Sequence, residues 1–200
     1  MKKILIAIAA AAMMLSCSGS QPDPVAQALE EAVKLSISEP CKFRLYTLEL
    51  TDSTTFRTEF ERRAKVFEVK SKREGDLYAR YITEGKPKNA AVHMEAMTKA
   101  NRNHSSLDSL MNSMESRLDD IAYYDYKFSG KAYGDSGEVE YRDSWFTITP
   151  SGKVLAITHD KKELHKNAGR AIPGYMEIFR QDEDVPELAD EIDETTVRVR

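Results

Sequence analysis

The sequence predicts an α+β fold: a long antiparallel two-helix hairpin packed on a small antiparallel sheet, itself a three-stranded meander plus one N-terminal strand. Three observations predict it. Apolar residues recur every three or four positions over 56–121, interrupted by Gly85-Lys86-Pro87. From Ile121 the period drops to two. Turn residues then punctuate the chain at Gly134–Gly137 and Thr149–Gly152.

The elements follow in order. Asp23-Pro24 is a helix cap followed by proline at the first helical position, and Val25, Leu29 and Val33 keep helical spacing to about Ser36. Pro40 ends that segment. Residues 42–51 are rich in aromatic and aliphatic side chains over too short a span for a good helix, which predicts a strand. Asp52 and Ser53 read as caps for the helix beyond it. Phe56, Phe60, Ala64 and Phe67 then form one apolar stripe, and Glu59 with Arg63, Glu61 with Lys65, and Glu68 with Lys72 are acid-before-base pairs at i,i+4. Tyr78 and Ile82 resume the stripe past Gly75, a weak point.

Gly85 is placed to end one helix and Pro87 to start the next. Beyond them Ala90, Met94, Leu107, Leu110, Met114, Leu118 and Ile121 fall mostly at threes and fours. Helices of about 30 and 35 residues would measure roughly 45 and 50 Å. So short a loop forces them to run antiparallel as neighbours. They outrun the strands, so part of the hairpin is expected to project, and Ser71, Gly75, Asn101 and Ser105 give it a polar middle. In the meander, Ala122, Tyr124, Tyr126 and Phe128 alternate with Tyr123, Asp125, Lys127 and Ser129, followed by strands over Val139–Ile148 and Val154–Thr158. Asp160 with Glu163 resembles a helix cap opening a short helix that Gly169 closes, and 172–179 is expected to pack back on the core.

Charge narrows the partners. The chain of 200 residues has 29 bases and 33 acids. Residues 182–194 hold eight of the acids and no base, so the acidity belongs to the tail. No domain-scale basic footprint exists, which argues against nucleic acid as a partner. The stretch Arg57–Arg102, with twelve bases and seven acids, is mildly positive, either a solvated face or one that meets anionic head groups or polymers.

Chemistry-bearing motifs are few. No G-x-S-x-G, P-loop, G-x-G-x-x-G or C-x-x-C pattern occurs. His93 and His104 sit three turns apart on one helix face, about 16 Å along the axis and too far to share a metal; solvated helix positions explain them. His159, Asp160, Glu163 and His165 have conceivable metal spacing but lack H-E-x-x-H, and capping explains Asp160 more simply. Asp119 and Asp120 need no reason beyond a helix end. No metal or cofactor is therefore expected. Tyr123, Tyr124, Tyr126, Tyr133, Tyr141 and Trp145 concentrate aromatic area on the sheet, as cross-strand core pairs or as a face for a sugar or peptide. Asp52-Ser53-Thr54 and Asp108-Ser109-Leu110 are similar to an O-glycosylation acceptor of some Gram-negative anaerobes, which would modify Ser53 and Ser109.

The N-terminus carries a charged start at Lys2 and Lys3, an unbroken apolar run from Ile4 to Met14, and Leu15-Ser16-Cys17. Eleven apolar residues are too few for a bilayer span, which takes about 20. The layout is that of a removable export signal. A small residue directly before cysteine resembles the bacterial lipoprotein family, with Met14 and Leu15 departing from the strict lipobox. That resemblance covers residues 1 to about 20. It implies cleavage before Cys17, lipidation of its thiol by palmitate-type acyl chains, and two or three chains that anchor firmly. Ser18 and Gly19 lack the aspartate that retains such proteins in the inner membrane, so an outer membrane anchor facing the periplasm is the implied address.

The implied organisation is a signal peptide at 1–16, lipidated cysteine and tether at 17–23, one α+β domain at 24–180 and an acidic disordered tail at 181–200. Cys41 is then a lone thiol, expected buried and inert. Past residue 20 the chain resembles only small lipoproteins without an assigned activity. The leading expectation is a non-catalytic envelope lipoprotein whose hairpin or sheet face meets an envelope protein or polymer. Alternatives are a small-ligand binder, with a sugar or peptide between sheet and hairpin, and an enzyme whose site bears no motif.

Overall fold

The computed structural model describes residues 23–37 and 40–178. Cys17, the signal and tether before Asp23, and the acidic tail lie outside the described residues. Three α-helices and one four-stranded antiparallel sheet make up the α+β domain. The helices are α1 (Pro24–Ser36), α2 (Phe56–Thr83) and α3 (Pro87–Ser113). The strands are β1 (Lys42–Thr55), β2 (Ile121–Gly134), β3 (Gly137–Ile148) and β4 (Val154–Thr158), in the order β1-β2-β3-β4. Sheet order thus equals chain order, with the helical hairpin inserted between β1 and β2.

Local chemistry explains the boundaries. The Asp23 carboxylate accepts from the Val25 amide at 2.9 Å and Pro24 opens α1, as capping demands. Thr55 caps α2, accepting from the Thr58 amide at 3.3 Å. The β2–β3 hairpin closes on the Gly134–Gly137 pair around Asp135 and Ser136. The Gly152 amide donates to the Thr149 carbonyl at 2.9 Å, closing the turn before β4.

Several boundaries differ from expectation. β1 runs four residues further than 42–51, so Asp52 and Ser53 lie in a strand and Thr55 is the cap. Gly75 does not break α2; it faces α3, where an added Cβ would stand 3.3 Å from Met97 Sδ. α3 stops at Ser113, and a 3-10 turn at Glu115–Arg117 carries the chain on. Met114 and Leu118 are buried all the same, which is why their spacing mimics a longer helix. The segment after Asp160 forms 3-10 turns at Lys161–Glu163, Ala168–Ala171 and Tyr175–Ile178 instead of one short helix.

Successive residues of a strand face opposite sides of the sheet, and both sides carry a core. Tyr123 joins Phe56, Phe60, Phe67, Leu107, Met114, Ile172 and Tyr175 under the root of the hairpin. Phe128, Ala132, Tyr141, Phe146 and Ile148 join Leu29 and Val33 of α1 on the other side. Cys41 is half-buried against this second core.

Candidate functional site

The hairpin is the feature that the packing leaves uncommitted. On α2 the core residues end at Phe67, and on α3 they begin at Leu107. The 16 residues that follow Phe67, up to Thr83, extend about 24 Å past the last core contact. Over that length the helices bury chiefly each other: Glu74, Ala90 and Ala100 are the buried residues between Phe67 and Asn103. Ile82, Val92 and Met94 are about half or more exposed. Residues 70–102 carry eight bases and four acids, so the projecting part is positive.

The seam of this arm has polar clasps. His93 Nδ1 lies 2.6 Å from Glu74 Oε2, and the His93 ring stacks on Tyr81 with centroids 5.2 Å apart. Arg80 and Lys86 stand over the Tyr81 ring at 5.0 and 5.8 Å. The Ser71 hydroxyl donates to Asn101 Oδ1 at 2.6 Å. His93 therefore belongs to the helix seam and is not a solvated position. His104 pairs with Asp108 at 3.1 Å.

The arm's root is pinned by a buried polar network. Arg63 Nε donates to Glu59 Oε1 at 2.7 Å, and Arg62 Nη1 and the Tyr123 hydroxyl both donate to Glu59 Oε2, at 2.9 and 2.8 Å. Arg62 Nη1 also donates to the Tyr123 oxygen at 2.5 Å. Arg63 Nη2 reaches the His165 carbonyl at 2.6 Å. Beside them Thr147 donates to Asp125 Oδ1 and His165 Nε2 lies against Asp125 Oδ2, both at 2.7 Å. Burial, and next the Glu59 carboxylate, push the Tyr123 phenol well above its usual range. Every carboxylate oxygen of Glu59 and Asp125 has a protein donor or imidazole partner, so the network is chemically closed. It ties α2 to β2, β3 and the 160s segment, as buried charges require.

One groove of about 750 Å³ opens beside this root, lined by Phe56, Arg117, Asp119, Tyr124, Lys153 and Arg170 among others. Its acids are engaged: Arg57 Nε holds Asp119 at 3.0 Å, and Arg117 Nε holds Asp120 at 3.4 Å.

The aromatic residues proposed from the sequence do not form one surface. Tyr123 is fully buried under the hairpin, Tyr124, Tyr126 and Tyr141 pack with the α1 core, and Trp145 carries Lys161 Nζ at 4.7 Å from its ring centroid. Tyr133 is exposed, its hydroxyl 3.5 Å from that of Tyr46. Only Tyr124 lines the groove. Ser53 is exposed on β1 and Ser109 is exposed on α3, where its hydroxyl donates to the Ser105 carbonyl at 3.0 Å. The histidine cluster disperses: His159 Nδ1 lies 2.8 Å from Ser144 Oγ, His165 faces Asp125, and Asp160 caps, accepting from the Lys162 amide at 2.9 Å. Among the described residues no group of three or more His, Cys, Asp or Glu side chains is placed to hold a metal.

Sequence reasoning missed the Glu59 network, because Glu59 with Arg63 reads as one more surface pair. The only available signal was position: Glu59 and Arg63 flank Phe60 on the same apolar face. Among the described residues no helix is long and apolar enough to cross a membrane. No family model, curated protein or solved structure matches the chain.

Proposed function

We propose that the protein is an envelope lipoprotein, exported by its apolar leader and acylated on Cys17, whose projecting helical hairpin is a contact arm without catalytic work. The observation that carries the reading is the arm itself. Some 24 Å of paired helix extends beyond the core while keeping exposed Ile82, Val92 and Met94. Holding that arm out exposes apolar area that a purely structural helix pair would bury against the sheet. The closed network at its root gives the arm a rigid mounting. The leader supplies the address, most simply the periplasmic face of the outer membrane.

Two measurements test the two halves. Labelled palmitate enters the wild-type protein and not Cys17→Ala, which also leaves the membrane fraction; unchanged partitioning of that variant contradicts the anchor. Replacing residues 72–100 by a short turn leaves a folded body that has lost its crosslinked partners in cells. Partners retained by the shortened protein contradict the arm. A second reading, a small-ligand binder for a sugar or peptide, is favoured by the groove beside Tyr124. It predicts saturable calorimetric binding of a sugar or short peptide that Tyr124→Ala abolishes; absence of binding across both classes rejects it.

A further inference from the structure

We infer that the acidic stretch 182–194 of this same chain docks on a basic flank at the foot of the hairpin, strapping the arm to the body. The described residues end on that flank. Gly174 lies against α3, where an added Cβ would stand 3.2 Å from Leu110 Cδ1. The Tyr175 ring lies beneath the Arg63 guanidinium of α2, 5.8 Å from its centroid, and Ile178 packs at the edge of the first core. Arg63 and Leu110 therefore mark, on the two helices, the flank from which the chain passes into 179–200.

Helical spacing places bases along this flank. Seven residues turn a helix by about 700°, so Lys70 returns to within about 20° of Arg63. Eleven residues turn it by about 1,100°, so Lys99 returns as close to Leu110. Arg73 and Arg102 stand about 80° round from these marks, each on the side away from the buried Phe67 and Leu107. The Ser71–Asn101 hydrogen bond brings 70–73 level with 99–102, so the four bases gather at one height. The neighbouring acids do not cancel them. His93 holds Glu74, Lys65 holds Glu68, Asp76 is turned about 140° from Arg63, and Glu95 lies one turn beyond Lys99. Leu77 and Ala96, both half-buried, continue the flank outward.

The stretch 182–194 matches this surface in charge and in reach. It holds eight acids and no base. Asp182, Glu183 and Asp184 follow Ile178 by four to six residues, an extended reach of roughly 13 to 20 Å. Arg102 and Lys99 lie about 12 and 16 Å along α3 from Leu110, so those three acids arrive at the level of the four bases. Val185 and Leu188 follow at roughly 23 and 33 Å, far enough to meet Ala96 and Leu77. A stretch so acidic and poor in aromatics orders only on meeting such a surface. Single exposed ion pairs contribute little, whereas several gathered at one place act together and weaken with salt. The strap covers the foot of the arm and leaves Ile82, Val92 and Met94 uncovered farther out.

The inference requires neither acylation of Cys17 nor a partner for the arm, so it stands or falls apart from them. Its test is zero-length carbodiimide crosslinking of the purified full chain, which joins lysine amines to carboxylates in contact. Half of the protein carries heavy isotope, and the joined peptides are mapped by mass. Carboxylates of 182–194 should join Lys70 and Lys99 within single-label pairs. Lys72, on the opposite side of α2, and Lys153, in the groove, should stay at background. Arg73→Gln with Arg102→Gln removes two bases that the reagent cannot join, and should lower the Lys70 and Lys99 yields about fivefold. Both arginines are exposed, so circular dichroism should stay unchanged. No joining at Lys70 and Lys99, equal joining at Lys72 or Lys153, or yields that the double variant leaves unaltered overturn the strap. Mixed-label pairs overturn it too, because the stretch then docks on another copy.

Discussion

Replacing Glu59 by glutamine tests the mounting of the arm with the least change of shape. Glu59 is fully buried and neutralises Arg63, whose side chain is only about a tenth exposed. The substitution removes the negative charge and turns two charge-assisted acceptors into one neutral acceptor and a donor. Arg63 would keep the carbonyls of His165 and Lys166 but no counter-charge. Breaking a buried pair from one side costs about 3–5 kcal/mol. Arg62, a third exposed, keeps water and so adds little. We therefore expect a loss of about 3 kcal/mol. For a domain of this size that lowers the melting temperature by roughly 6 to 12 °C. The assay is urea unfolding followed by circular dichroism, with constant slope as the check on the native fold. Arg62→Met is the internal control, expected to cost no more than about 1 kcal/mol. Glu59→Gln combined with Arg63→Met should regain part of the loss, because no uncompensated charge remains. A cost below about 1 kcal/mol for Glu59→Gln alone would refute the idea that this carboxylate pins the hairpin.

Three more outcomes follow from the same geometry. The Tyr123 phenol is raised in the folded state by burial and by Glu59, so the folded protein holds that proton longer than the unfolded chain. Stability is then fully present below about pH 10 and declines as pH rises beyond it. Tyr123→Phe should flatten that alkaline decline in pH-dependent unfolding, and an unchanged slope would contradict the assignment. Gly130→Ala would place a Cβ 2.7 Å from the Phe43 ring and 2.9 Å from the Arg44 carbonyl oxygen. Because the backbone oxygen cannot swing aside, we expect a loss of about 1–3 kcal/mol by thermal unfolding; a neutral change would show that β1 can move. Amides of residues 72–100 should exchange with solvent hydrogen by local opening well before those of β2 and β3, since only inter-helix contacts protect them. Equal protection at high dilution would contradict an arm standing clear of the core.

Much of this architecture was legible in the residues. Asp23-Pro24 marks α1 and Gly85-Lys86-Pro87 marks the hairpin turn, because proline and glycine act through local backbone chemistry alone. The α3 end was obscured because Met114 and Leu118 stay buried through a 3-10 turn, so burial outlasts the helix that usually accounts for it. The β1 end was obscured because Asp52 and Ser53 have the side chains of caps but sit in a bulged edge strand. Tyr123 and Tyr124 differ by one position and end in different cores, so a count of aromatics on a strand could not assign them to one face. The Glu59 network was hidden for a related reason. An i,i+4 ion pair looks the same in sequence whether water or a second strand covers it.

The central claim is that contact is made through the projecting hairpin. The most direct measurement is a photo-crosslinker scan in cells, with the crosslinking residue placed in turn at Ile82, Met94, Val92, Tyr46 and Lys153 of the full chain. The account predicts adducts at Ile82, Val92 and Met94, and none at Tyr46 on the sheet edge or at Lys153 in the groove. Adducts concentrated at Tyr46 or Lys153, with the hairpin positions silent, would contradict it.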